Sequence, residues 1–88
     1  LIGGFVAEYP NNFTYSSGTL SWTNAPDTEW VEVIFSPRSA DNWQVCYAGD
    51  MKSNCQFVHP TADYKVKGKR RKKDGTMGIY GPEEIVHV

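Results

Sequence analysis

Tyr64-Lys65-Val66-Lys67-Gly68-Lys69-Arg70-Arg71-Lys72-Lys73-Asp74-Gly75 carries the two signals that decide the fold. Side chains on a strand alternate between faces, so Tyr64, Val66 and Gly68 share one side while Lys65, Lys67 and Lys69 share the other. Asp74-Gly75 is the two-residue turn signal that joins antiparallel strands. The return strand is expected at Met77–Tyr80, interrupted by Gly81-Pro82 and resumed at Ile85–Val88.

The same grammar holds upstream. Phe5–Tyr9 reads as a strand stopped by Pro10-Asn11-Asn12. Thr19–Thr23 places Leu20 and Trp22 on one face. After the turn Asn24-Ala25-Pro26-Asp27, Glu29–Phe35 sets Val31, Val33 and Phe35 against Trp30, Glu32 and Ile34. Ser36-Pro37 ends that strand, because proline offers no ladder donor. Asn42–Ala48 and Cys55–Val58 read as shorter strands, and helical periodicity is nearly absent. Seven or so short strands with regular turns imply an all-β sandwich.

The chain has 88 residues, 40% hydrophobic and 14% aromatic, enough apolar content for one core and too much for a disordered segment. Residues 1–88 are therefore expected to be a single domain, without repeat or linker. No apolar run approaches the roughly 18–20 residues of a membrane span. The opening Leu-Ile-Gly-Gly-Phe has neither Met nor a signal-peptide pattern, so the chain reads as a module of a longer protein. Leu1-Ile2-Gly3-Gly4 is similar to the processed start of trypsin-like proteases, but the chain is too short for their two barrels and lacks a Ser-His-Asp set.

Cys46 and Cys55 form either a disulfide or a pair of buried thiols. The short polar segment between them suits a bridge across neighbouring strands, with a contribution of about 2–3 kcal/mol. They are no CxxC motif, and His59 and His87 are too few for a zinc site. Asn12-Phe13-Thr14 is an N-glycosylation sequon, meaningful if the chain is secreted. Cysteines and sequon together point to an extracellular setting.

Val58-His59-Pro60-Thr61-Ala62-Asp63-Tyr64 resembles the Leu-x-Pro-x-Thr-x-Tyr signature of fibronectin type III domains. Tyr64-x-Val66, Gly75, Gly81-Pro82 and Trp22 after Leu20 extend the resemblance over most of the chain. It implies an immunoglobulin-like seven-stranded sandwich, with Tyr64 as a tyrosine corner bonded to upstream backbone. Ala62 departs from the usual Thr, and Gly68 and Arg70 stand where small or branched apolar residues are common. Trp43-Gln44-Val45-Cys46 followed by Cys55 is similar to the cytokine-receptor and tissue-factor type, where a bridge links the fourth and fifth strands. That type's Trp-Ser-x-Trp-Ser motif is missing.

Seven of the nine cations lie in residues 65–73. The formal charge of −1 is thus a strand of +7 under a remainder of −8, which implies a polarised surface. Lys65, Lys67, Lys69, Arg71 and Lys73 are candidates for binding an acidic polysaccharide, acidic protein or anionic surface. The bland alternative is a solvated strand whose lysines discourage edge pairing or meet Glu32. Nucleic acid has the least support, since no RNA-binding signature accompanies the run. Trp30, Trp43 and Tyr80 either share that face and stack on the cations or, for Trp43, cap the edge of the core.

The loops at Asp27–Glu29, Arg38–Asn42 and Asp74-Gly75 are further binding candidates. Arg38-Ser39-Ala40-Asp41 lacks Arg-Gly-Asp, so integrin binding has no support. His59 reads as structural. Glu83-Glu84 point to opposite faces and read as solvated, and no nucleophile–base pair or phosphate loop is present. The core is expected to comprise Leu20, Trp22, Val31, Val33, Phe35, Val58, Tyr64 and Val66. The resemblance implies a non-enzymatic module without cofactor or metal, recognising other proteins or spacing neighbouring domains of a receptor or adhesion protein. A virion or bacterial extracellular module is the alternative setting, and heparan-type binding through residues 65–73 the alternative activity.

Overall fold

Seven strands build two antiparallel sheets in the computed structural model, which describes residues 7–88. β1 (Asn11–Ser16), β2 (Thr19–Thr23) and β5 (Asn54–Gln56) form a three-stranded sheet in the order β1-β2-β5. β3 (Thr28–Pro37), β4 (Gln44–Asp50), β6 (Asp63–Lys72) and β7 (Glu84–His87) form a four-stranded sheet in the order β4-β3-β6-β7. Among the described residues no helix is long and apolar enough to cross a membrane.

The core lies between the sheets. Leu20, Trp22, Val31, Val33, Phe35, Tyr64 and Val66 are all buried there, joined by Phe13, Phe57 and Val86. Phe57 packs edge-on to Phe35 and Tyr64, with ring centres 4.9 and 5.4 Å away. His59 closes this aromatic group at the surface, 4.5 Å from Phe57 and 4.6 Å from Phe35. The Tyr64 hydroxyl donates to the Pro60 carbonyl at 2.7 Å, the hydrogen bond of a tyrosine corner.

Several boundaries differ from the sequence expectation. The first strand is Asn11–Ser16 rather than Phe5–Tyr9: Ala7–Tyr9 is not strand, while Phe5, Val6 and the Leu1-Ile2-Gly3-Gly4 motif lie outside the described residues. Asn12 adopts φ 55°, a left-handed conformation that asparagine tolerates. There β1 carries a bulge, with Asn12 and Phe13 both opposite Trp22. The Asn-Asn pair that looked like a stop is thus an irregularity inside the strand. After the Asp74-Gly75 turn, the return segment forms no regular strand: an isolated bridge, Arg71 to Met77, and single backbone hydrogen bonds hold it to β6, and regular pairing resumes only at Glu84.

Val58 was expected in the core and is not there. It is 71% exposed, whereas Phe57 is fully buried. Strand parity gives the reason: Cys55 faces inward, so the residue two further on does too. Phe57→Ala should therefore cost about 3–5 kcal/mol of stability, and Val58→Ala no more than about 0.5. Chemical denaturation of the two variants checks this, and the reverse order would reject the register of β5.

Candidate functional site: the outer face of the four-stranded sheet

β6 pairs with β3 on one side and β7 on the other, so its outward residues lie in the middle of a sheet face. Register sets Lys69 opposite Glu32, Arg71 opposite Trp30, Lys67 opposite Ile34 and Lys65 opposite Ser36. Trp43, just before β4, and Tyr80, in the segment leading to β7, are set against the same row.

The result is a stack of cations and rings. Lys67 Nζ lies 4.4 Å from the Trp43 ring centre and 5.4 Å from that of Tyr80. Lys69 Nζ lies 4.9 Å from the Tyr80 ring centre, and Lys65 lies 5.4 Å from that of Trp43. Arg71 completes the row, 5.6 Å from the Trp30 ring. Each such contact is worth about 0.5–1 kcal/mol at an exposed site. Trp43 thus stands among the lysines, and Trp30 beside Arg71.

Carboxylates run alongside. Lys65 meets Asp41 at 2.6 Å, Lys69 meets Glu32 at 3.9 Å and Arg71 meets Glu29 at 2.8 Å. The Tyr80 hydroxyl donates to Glu32 at 2.6 Å. Burial, reinforced by this carboxylate, pushes the Tyr80 phenol up to about 12. Lys65 holds the Asp41 carboxyl below its ordinary value by hydrogen bond and charge.

The remaining cations turn elsewhere. Arg70 follows Tyr64, Val66 and Gly68 on the inward face and is only 2% exposed. Its guanidinium donates to the Glu8 carboxylate at 2.9 Å, the Glu8 carbonyl at 3.1 Å, Thr28 Oγ1 at 3.3 Å, and Asp27. Burial alone would lower the Arg70 value, and the bonds to Asp27 and Glu8 outweigh it. Lys72 adds a 3.5 Å pair with Glu8. Of the seven cations in residues 65–73, only Lys67 and Lys73 lack a carboxylate partner among the described residues.

The polarised surface expected from the sequence is therefore corrected. Five of the ten acids, Glu8, Asp27, Glu29, Glu32 and Asp41, pair with cations of residues 65–73, and there the two signs interleave. The candidate loops supply three of those acids: Asp27 and Glu29 from one, Asp41 from another, where Arg38 also pairs with Asp63 at 3.1 Å. Asp74 accepts from the Thr76 N–H at 2.9 Å, which holds its carboxyl below the ordinary value.

The role of Glu84 and the bulge that carries Cys46 were not disclosed by the sequence, whereas the Cys46–Cys55 bridge was one of its two readings of that pair. Glu84, read as solvated, accepts from the backbone N–H groups of Asn12 at 3.1 Å and Phe13 at 2.9 Å. Successive N–H groups beside a left-handed residue make an anion-binding concavity, and here a carboxylate from the opposite sheet fills it. Cys46 occupies a bulge in β4 between the pairs Val33–Tyr47 and Ile34–Val45. The bulge lets Cys46 and Tyr47 both pack toward the core, and Cys46 is bonded to Cys55. The bridge joins strands that are consecutive in the chain but belong to different sheets. No group of three or more His, Cys, Asp and Glu side chains is placed to hold a metal among the described residues.

No protein-family model matches the chain. No curated protein matches it either. Among solved structures it is similar to a Fn3-like protein from Clostridium thermocellum, with a TM-score of 0.67 and 19% identity over 89% of this chain and 88% of that one. The chain therefore has a fibronectin type III-like fold.

The Arg70 cluster gives a pH signature. Its hydrogen bonds hold the Glu8 and Asp27 carboxyls below their ordinary values of 4.5 and 3.8. A carboxyl with a lowered folded value stabilises the fold above its ordinary value, and that contribution is lost as pH falls through the folded one. Thermal melts from neutral pH downward should therefore show a loss below about pH 4 that is smaller in the E8Q/D27N double variant. An acid limb of the same depth in that variant would contradict the role given to Arg70.

Proposed function

We propose that this domain is a non-catalytic recognition or spacer module of a secreted or cell-surface protein of the receptor or adhesion type. The observation that carries the reading is the Cys46–Cys55 bond, which links an edge strand of each sheet. Such a link closes a small sandwich, and structural disulfides of this kind are characteristic of oxidising compartments and rare elsewhere. The Trp43-to-Cys46 pattern, the Cys55 partner and the cation–ring stack favour the receptor-like subclass of the fold. The partner is another protein or a neighbouring domain, met on the outer face of the four-stranded sheet. Trp30, Trp43, Tyr80 and Arg71 are of the residue types enriched in interface centres, and sandwich domains recognise partners through such surfaces.

A heparan-type ligand would use the same row of Lys65, Lys67, Lys69 and Arg71, in competition with Asp41, Glu32 and Glu29. A virion or bacterial module would share the fold and differ in the setting from which the chain is isolated. The redox state separates these settings. Protein isolated without reductant and denatured should show no free thiol, and two after reduction. Two alkylatable thiols before reduction would overturn the secreted reading.

A further inference from the structure

The sequon Asn12-Phe13-Thr14 lies in β1, and the bulge there separates its residues by chemistry. Phe13 turns into the core, 6% exposed and 6.0 Å from the Trp22 ring, while Asn12 and Thr14 are both exposed. Neither the Asn12 amide nor the Thr14 hydroxyl engages in a hydrogen bond among the described residues; Asn12 uses only its backbone N–H, toward Glu84. Among the described residues the acceptor nitrogen is thus without a partner, on a backbone that the core and Glu84 hold in place.

Among the described residues β1 is an edge strand, and so is β7 facing it. Between them runs a groove of about 340 Å³ lined by Phe13, Thr14, Tyr15, Ile85, Val86 and His87. Ile85 is 38% exposed there. An edge with unpaired backbone groups beside exposed apolar surface is a template for unwanted pairing, which folds manage by covering it. The opposite side of the sandwich, between β4 and β5, is closed by the disulfide.

We propose that Asn12 carries an N-linked oligosaccharide that covers the β1–β7 side and leaves the outer face of the four-stranded sheet as the open recognition surface. The proposal rests on the secreted reading above. The donor is a polyprenyl-diphosphate-linked oligosaccharide. Asn12 Nδ2 forms the new bond to the anomeric carbon, the bond from that carbon to the diphosphate oxygen breaks, and the amide loses one proton as the diphosphate leaves. No oxidation or reduction is involved. Transfer precedes folding, so the requirement on the fold is that it accommodate the sugar, and an exposed, unbonded Asn12 side chain does.

The test is secretion of the chain from a eukaryotic host, with intact mass measured before and after peptide N-glycosidase. A glycan that the enzyme removes, absent from both N12Q and T14V, is expected; T14V retains Asn12 where glutamine strains the left-handed backbone. Amide spectra of the glycosylated chain and T14V should differ at β1 and Glu84–His87 and coincide at Trp30, Trp43 and Tyr80. A secreted chain with oxidised cysteines and a bare Asn12 would overturn the glycan while sparing the secreted reading. Free thiols with a bare Asn12 would overturn both. A glycan that shifts the Trp43 and Tyr80 resonances would overturn the division of faces.

Discussion

Six positive charges on one interior strand, with a seventh at Lys73 just past its end, are the constraint around which the rest of this sandwich is arranged. β6 has a hydrogen-bonded neighbour on each side for much of its length, so its cations cannot spread into solvent as those of an edge strand would. Each outward cation is met where it stands. Asp41 takes Lys65, the Trp43 and Tyr80 rings enclose Lys67, Glu32 takes Lys69, and Glu29 with Trp30 takes Arg71. Singly, exposed pairs of this kind contribute about 0–1 kcal/mol. Their shared effect is to fix Trp43 and Tyr80, which come from irregular segments, against a regular strand.

The inward side of the same strand explains two of the three departures from the fibronectin pattern, Gly68 and Arg70. A Cβ at Gly68 would come within 3.1 Å of Pro10 and of the Glu32 carbonyl. Gly68 is therefore the space into which Pro10 packs. Arg70, two residues on, binds Glu8 with its guanidinium, and a Cβ at Gly81 would run into the Tyr9 ring. Gly68, Arg70 and Gly81 together form the seat of the segment Glu8–Pro10. The two sheets are tied together on both sides by different means: a covalent link between β4 and β5, and the Glu84 carboxylate on the backbone of β1, beside the groove that stays open there.

Much of this was legible in the residues. Alternation in β6 assigned both of its faces, and the signature before Tyr64 implied the corner that the hydroxyl makes. Leu20 and Trp22 followed from parity alone. The misreadings share a cause, which is that each depended on a partner distant in the chain. Asn11-Asn12 looked like a stop because a bulge held by Glu84, 72 residues away, leaves no local trace. Val58 was favoured by its place in the signature, while the parity that buries Phe57 is set by Cys55 and its pairing with Leu20. The charge balance gave the sums correctly and their arrangement wrongly, because linear charge blocks do not reveal which loops fold back across a strand.

A strand whose cations are neutralised in place should attract polyanions weakly, whatever its linear sequence suggests. Salt-gradient elution from immobilised heparin tests this most directly. The folded chain is expected to leave the column at or below about 0.15 M salt, where screening already reduces the interaction range to roughly 8 Å. Retention well beyond that, abolished in the K65S/K67S/K69S/R71S variant, would show that the cations of β6 remain available and would contradict internal compensation.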